Sequence, residues 1–214
     1  MQLYGEITVE QAYILLKKYN VSERRVKHSE EVARLAREYA RKISETTGIT
    51  IDLDFIHTAG LLHDIGRGYI IKITDDDSEE EGNNEKEKKF KKDQTSKQIY
   101  DEPDMHMFIG EKILRDEGLE KYARIAERHG FAKEAAVTYG KPGVYEPETI
   151  EEKIITIADL NVVKRGIITV DERFECLRNT FTERKLLWRL KHLEDAEPRI
   201  KDYEMELMIL GAMG

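Results

Sequence analysis

The sequence predicts an all-α fold, and three observations carry that expectation. Apolar residues recur at helical spacing from Thr8 to Leu210, alternating strand patterns are scarce, and proline occurs only four times in 214 residues. Each amphipathic segment must bury its apolar stripe against another, which is the arrangement of a helical bundle.

Each element follows from its own residues. Thr8 is a helix N-cap, and the helix behind it carries Ala12, Ile14, Leu15 and Leu16 and ends near Asn20. Ser22 caps a longer helix that runs to about Thr46, with Gly48 as its stop. Its stripe is His28, Val32, Leu35, Ala36 and Tyr39, at offsets of 4, 7, 8 and 11 from the first. Asp52 or Asp54 opens the third helix, in which Phe55, Ala59, Leu62 and His63 share a face. It ends in Leu61-Leu62-His63-Asp64-Ile65-Gly66-Arg67-Gly68, with Gly66 and Gly68 read as a stop where the backbone turns sharply. Tyr69-Ile70-Ile71-Lys72-Ile73 is strand-like.

The composition then changes abruptly. Residues 75–81 are nearly all acidic, residues 86–92 are mostly lysine, and Gly82-Asn83-Asn84 lies between. Residues 74–103 read as a charged inserted arm, paired as a hairpin or helix, because almost nothing in it can be buried.

Periodicity resumes at Asp104, with His106, Ile109, Gly110, Ile113 and Leu114 on one face. The helix after Gly118 aligns Tyr122, Ile125, Ala126 and His129. A short helix covers about 132–139, and Gly140-Lys141-Pro142-Gly143 is a loop. Pro147 opens a long helix aligning Ile155, Ala158, Asp159, Val162 and Val163, interrupted at Gly166. Two last helices span about Phe174 to His192 and Pro198 to Leu210. The chain divides into a helical domain, 1–170, interrupted by the arm, and C-terminal helices, 171–214. These helices complete the core or form a homodimer interface.

Bulk composition narrows the function. A net charge of −8 excludes broad nonspecific DNA binding and argues against a nucleic-acid partner. The single cysteine, Cys176, excludes an internal disulfide framework and fits a reducing compartment. No apolar run approaches the roughly 20 residues of a membrane span, and no signal-peptide pattern opens the chain. The expectation is a cytoplasmic protein without a membrane partner. The Glu, Lys and Arg content is compatible with a thermophilic source.

The functional signal lies in polar residues on apolar stripes. His28, His63, His106, His129 and Asp159 each fall on the stripe of a separate helix, and Asp64 adjoins His63. Any one histidine there could be a core residue bonded to a backbone carbonyl. Five such residues on five helices, plus Asp64, argue for a shared cation, which uses neutral imidazoles and compensates both carboxylates. His57 and His192 fall outside this pattern and read as surface or supporting residues.

The ordered series His28, His63-Asp64, His106, His129 and Asp159 resembles the metal-binding series of the HD superfamily of metal-dependent phosphohydrolases. The contexts Val26-Lys27-His28-Ser29-Glu30-Glu31-Val32-Ala33, Leu61 to Arg67 and Ile157-Ala158-Asp159 are similar to small archaeal and bacterial members with a His-Asp-Ile-Gly motif. The resemblance covers about residues 9–166 and implies an HD-domain-like helical bundle. His28, His63, Asp64 and Asp159 match the one-metal set; His106 and His129 match the additional histidines of two-metal members. It implies one or two divalent transition metals, manganese, iron, cobalt, nickel or zinc, with Asp64 able to bridge a pair. With a single metal, His106 and His129 would bind phosphate instead.

The implied activity is hydrolysis of a small phosphate ester, with a nucleotide as the preferred substrate, and Asp64 and Arg67 as catalytic residues. Arg67 is also a phosphate-binding candidate, as are Arg25, one turn before His28, and Lys141. Arg67 stands where some related sequences carry lysine, and guanidinium is a poor proton donor. The acidic helper that other members place after the His-Asp pair is absent. The alternatives are a regulatory module that senses a nucleotide without hydrolysing it, and RNA processing, against which the acidic balance counts.

Overall fold

A computed structural model describes residues 5–69 and 103–213. Most of the strand-like run and nearly all of the charged arm predicted above therefore lie outside the described residues.

The described residues form nine α-helices: α1 (Val9–Lys18), α2 (Glu23–Thr47), α3 (Leu53–Leu62), α4 (His106–Asp116), α5 (Glu120–Arg128), α6 (Ala132–Thr138), α7 (Ile150–Asn161), α8 (Val170–Glu183) and α9 (Leu187–Ile209). Short 3-10 segments cover Ile65–Tyr69 and Pro103–Met105. Tyr69 thus closes a 3-10 turn rather than opening a strand.

Local chemistry sets most boundaries. Thr8 and Gln11 form a capping box at α1, and Asp52, not Asp54, caps α3 by accepting from Asp54 N–H and Phe55 N–H. Gly48 ends α2 in the left-handed conformation at φ 76°. Ser22 flanks α2 without a side-chain cap bond. On α1 the core takes Ala12, Leu15 and Leu16, but Ile14 points to solvent and is 64% exposed.

The helix predicted from Pro147 begins at Ile150, because Thr149 and Glu152 form the capping box there. It ends at Asn161. Val162 and Val163 leave it as β1, which pairs antiparallel with β2 (Gly166–Ile167) in the register Val162↔Ile167 and Val163↔Gly166. β-branched residues beside a glycine turn favour this small hairpin over further helix. The C-terminal break also moves. Another capping box, Thr169 with Glu172, starts α8; Lys185, at φ 56°, separates it from α9, and Pro198 lies inside α9.

A main apolar core joins most of these elements, and Met107, Phe108, Ala132, Ala135 and Ala136 form a smaller cluster between α4 and α6. α2 lies along α3 and α7, α4 along α5, and α8 along α9, which also contacts α7. Ile43, Ile56, Leu61, Leu62, Leu114, Tyr122, Ile155 and Phe174 are wholly buried in the main core. α2 and α3 come so close that a Cβ on Gly60 would stand 2.6 Å from the Ala33 Cα. This crossing brings His28 and His63 together at one end of the helix pair.

Candidate metal centre

The polar residues on the apolar stripes converge. α2 supplies His28, and His63 is the C-terminal cap of α3, with Asp64 next to it. His106 is the first residue of α4, and α7 supplies Asp159. His129 caps the end of α5 in an extended conformation rather than lying inside the helix.

The cluster has two halves. In one, His28 Nε2 lies 2.9 Å and His63 Nε2 3.4 Å from Asp159 Oδ1. In the other, His106 Nε2 lies 3.0 Å and His129 Nε2 3.5 Å from Asp64 Oδ1, and the two imidazole nitrogens are 3.3 Å apart. Asp64 adjoins both halves, its Oδ2 standing 4.0 Å from His63 Nε2. His63/His129/Asp159, His28/His63/Asp64 and Asp64/His106/His129 each offer three donor atoms within 4.8 Å of one another.

Backbone carbonyls fix two of the rings. His63 Nδ1 is 2.7 Å from the Gly60 carbonyl, and His129 Nδ1 is 2.8 Å from the Ala126 carbonyl. A carbonyl can only accept, so each Nδ1 carries a proton and each ring turns its Nε2 inward, the nitrogen that is a ligand when the ring is neutral. His63 Nε2 and Asp64 Oδ1 are buried without a hydrogen-bond partner. Their close neighbours are misaligned or are themselves acceptors. Inward-facing unpaired donors of mixed nitrogen and oxygen type are what a divalent transition metal satisfies, so the residues fit such an ion.

Electrostatics point the same way. Burial opposes ionisation of Asp64, but the Arg67 guanidinium and then His106 hold its carboxyl well below the usual range. Burial likewise opposes charge on Asp159, and the His28 hydrogen bond together with the nearby His63 outweighs it, holding its carboxyl well below the usual range. Burial and the nearby Arg67 charge push the His106 imidazolium down to about 4, so His106 is neutral near pH 7. For His63 burial pulls down, yet Asp64 and Asp159 together raise it above its ordinary value. The site thus holds anionic carboxylates beside imidazole nitrogens, with His106 neutral.

The remaining candidates sit differently. Arg67 Nε donates to Asp64 Oδ2 at 2.6 Å. Arg25 is half-buried one turn before His28. Lys141 is exposed on its loop with its ammonium 5.3 Å from the centre of the Phe108 ring, and no contact ties it to the cluster among the described residues. The other two histidines lie apart from the cluster. His192 is buried, with Nε2 2.6 Å from Thr138 Oγ1, because α9 packs on α6 there. His57 is half-buried with Nδ1 unpaired.

Gly66 and Gly68 also play another part than the sharp turn expected of them. Neither has positive φ. A Cβ on Gly66 would meet the His106 carbonyl and stand 2.6 Å from Gly110 N; one on Gly68 would meet the Tyr19 carbonyl. Close backbone approach requires these glycines. The Gly66–Gly110 contact docks the 3-10 turn onto α4 and so sets Asp64 against His106. The i to i+3 spacing of Gly60 to His63 and Ala126 to His129 was visible in the sequence, but its role in fixing the rings was not.

The chain belongs to the HD domain family, which matches residues 25–160. Members of this family are typically metal-dependent phosphohydrolases. An uncharacterised protein of Methanocaldococcus jannaschii is 33% identical over 168 residues, covering 76% of this chain and 80% of that protein. A Thermoplasma volcanium protein named tRNA (cytidine(56)-2′-O)-methyltransferase is 30% identical over 87% of this chain. A Picrophilus torridus protein of the same name is 29% identical over 92% of it. The chain spans 42% and 46% of the length of these two relatives, respectively. No solved structure matches it. Among the described residues, no helix is long and apolar enough to cross a membrane.

Proposed function

We propose that this protein is a metal-dependent phosphohydrolase acting on a nucleotide-type phosphate ester. The observation that carries the reading is the buried, unpaired pair His63 Nε2 and Asp64 Oδ1 at the junction of the two halves. His28 and His63, with Nε2 2.9 and 3.4 Å from Asp159 Oδ1, would hold one divalent ion together with Asp159, and Asp64, His106 and His129 a second, with Asp64 adjoining both. Such ions polarise a phosphoryl oxygen and activate water near neutral pH. The chain's own residues do the rest. The carbonyls of Gly60 and Ala126 keep His63 and His129 in the ligating tautomer. Arg67 holds Asp64 Oδ2 through its Nε, and its guanidinium is suited to a phosphate. His28 and Asp159, about a quarter exposed, mark the open side where an ester enters.

A second reading takes the ester from RNA rather than from a free nucleotide. It is favoured by the two relatives whose names denote tRNA methylation. The net charge of −8 weighs against a long nucleic-acid footprint, which confines this reading to a terminal or cyclic phosphate.

The test is a phosphoester panel of mononucleotides, cyclic nucleotides, dinucleoside polyphosphates and short RNAs, assayed with each transition metal. The wild type is expected to hydrolyse at least one class. His63→Ala and Asp64→Ala are expected to lower its kcat/KM by at least about 100-fold, the loss of a few kcal/mol of metal assistance. Turnover unchanged in folded variants would reject the reading. Full metal occupancy with no hydrolysis of any class would favour a non-catalytic nucleotide sensor.

A further inference from the structure

Asp64 is held unevenly. Arg67 Nε donates to Oδ2 at 2.6 Å, while Oδ1 faces His106 and His129 and has no hydrogen-bond partner. Oδ2 is the oxygen that faces His63, at 4.0 Å. Two consequences follow. The Asp64/His106/His129 half owns its carboxylate oxygen outright, and all three of its residues are buried. The His28/His63/Asp159 half must compete with a guanidinium for Oδ2, and its His28 and Asp159 side chains are 24% and 22% exposed.

Arg67 is equally uneven. Its backbone N–H closes the 3-10 turn on the Asp64 carbonyl and its Nε holds Oδ2, but neither terminal nitrogen has a partner among the described residues. Its side chain is 23% exposed. A planar fork whose two terminal nitrogens have no partner among the described residues, beside a cluster that fits metals, is suited to take an anion.

We propose that Arg67 is a positioning residue that makes the two halves unequal. It keeps Asp64 Oδ2 from a cation in the His28/His63/Asp159 half until a phosphoryl group takes over the guanidinium. The Asp64/His106/His129 half then fills first, and the other half is completed together with the phosphate. This inference rests on the metal-binding reading and adds an order of loading to it.

The test is Mn2+ binding to the full chain by equilibrium dialysis with elemental analysis, with and without inorganic phosphate. The wild type is expected to bind in two separated steps, and His28→Ala to lose the weaker one. In Arg67→Met the weaker step tightens by about tenfold while the stronger moves less, at the low end of what outer partners of metal ligands are worth. Phosphate tightens the weaker step of the wild type and has no such effect in Arg67→Met. Arg67→Lys keeps the charge without the fork, so its weaker step falls between the two; it also serves if the methionine variant does not fold. Equal tightening of both steps in Arg67→Met would reduce Arg67 to a background charge and overturn the inference. An unchanged or loosened weaker step would overturn it as well. Failure of the wild type to bind Mn2+ at all would instead reject the metal-binding reading beneath it.

Discussion

Six side chains converge in the candidate site; five were legible as polar residues on apolar stripes, and Asp64 as the neighbour of one of them. That signal is physical, because a buried carboxylate or imidazole without a partner is costly. The single-residue signal is coarser: His192 reads as a surface or supporting residue, and the structure buries it against Thr138. Ring tautomers, and the choice of which Asp64 oxygen faces which half, depend on a few ångströms of backbone placement that spacing does not encode. Away from the cluster, Tyr39 offers a clean residue-scale test. It is buried, with its hydroxyl 3.3 Å from Asn161 Oδ1. Burial, and then the charges of Glu38 and Glu204, push its phenol up to about 12. A raised pKa means that its stabilising contribution is complete below the ordinary value of 10 and is lost as pH climbs from there through about 12. Chemical denaturation between pH 9 and 12 should therefore show a decline of about 2 kcal/mol that is absent in Tyr39→Phe. Equal declines in both proteins would contradict the assignment.

At the scale of elements, the sequence revealed most helix existence and few of the joints. Caps placed α1, α2 and α3 nearly to the residue, because Thr8, Gly48 and Asp52 act locally. The ends of α7 and the break between α8 and α9 fall elsewhere than expected, because the Thr149 and Thr169 capping boxes, the Val162–Ile167 hairpin and the left-handed Lys185 set them. The joint with most consequence is Gly66 on Gly110. A methyl group on Gly66 would collide with the His106 carbonyl, so Gly66→Ala must push α4 away from Asp64. The expected cost is about 1–3 kcal/mol of stability by thermal or urea unfolding, with weaker metal binding alongside. A Gly48→Ala control acts through left-handed backbone strain at φ 76° and should cost stability while sparing metal binding. If Gly66→Ala left both properties intact, the close contact would not position the site.

At the scale of the molecule, a single core holds α2, α3, α5 and α7 so that their polar residues meet around one point, although residues 28 and 159 are 131 positions apart. Dense surface pairs, such as Arg41–Glu45 and Lys191–Asp195, account for much of the charge without touching the site. The all-α class and HD membership were legible because helical period and donor order survive in any register of the loops. Substrate identity was not, since it depends on the cluster's surroundings rather than on its ligands. The most direct measurement is anomalous diffraction from crystals of the full chain grown with Mn2+. Peaks within coordination distance of His63 Nε2 and Asp64 Oδ1, lost in a His63→Ala/Asp64→Ala double variant that keeps its fold, are the result expected. Well-ordered imidazoles and carboxylates with no metal peak between them at millimolar Mn2+ would contradict the account.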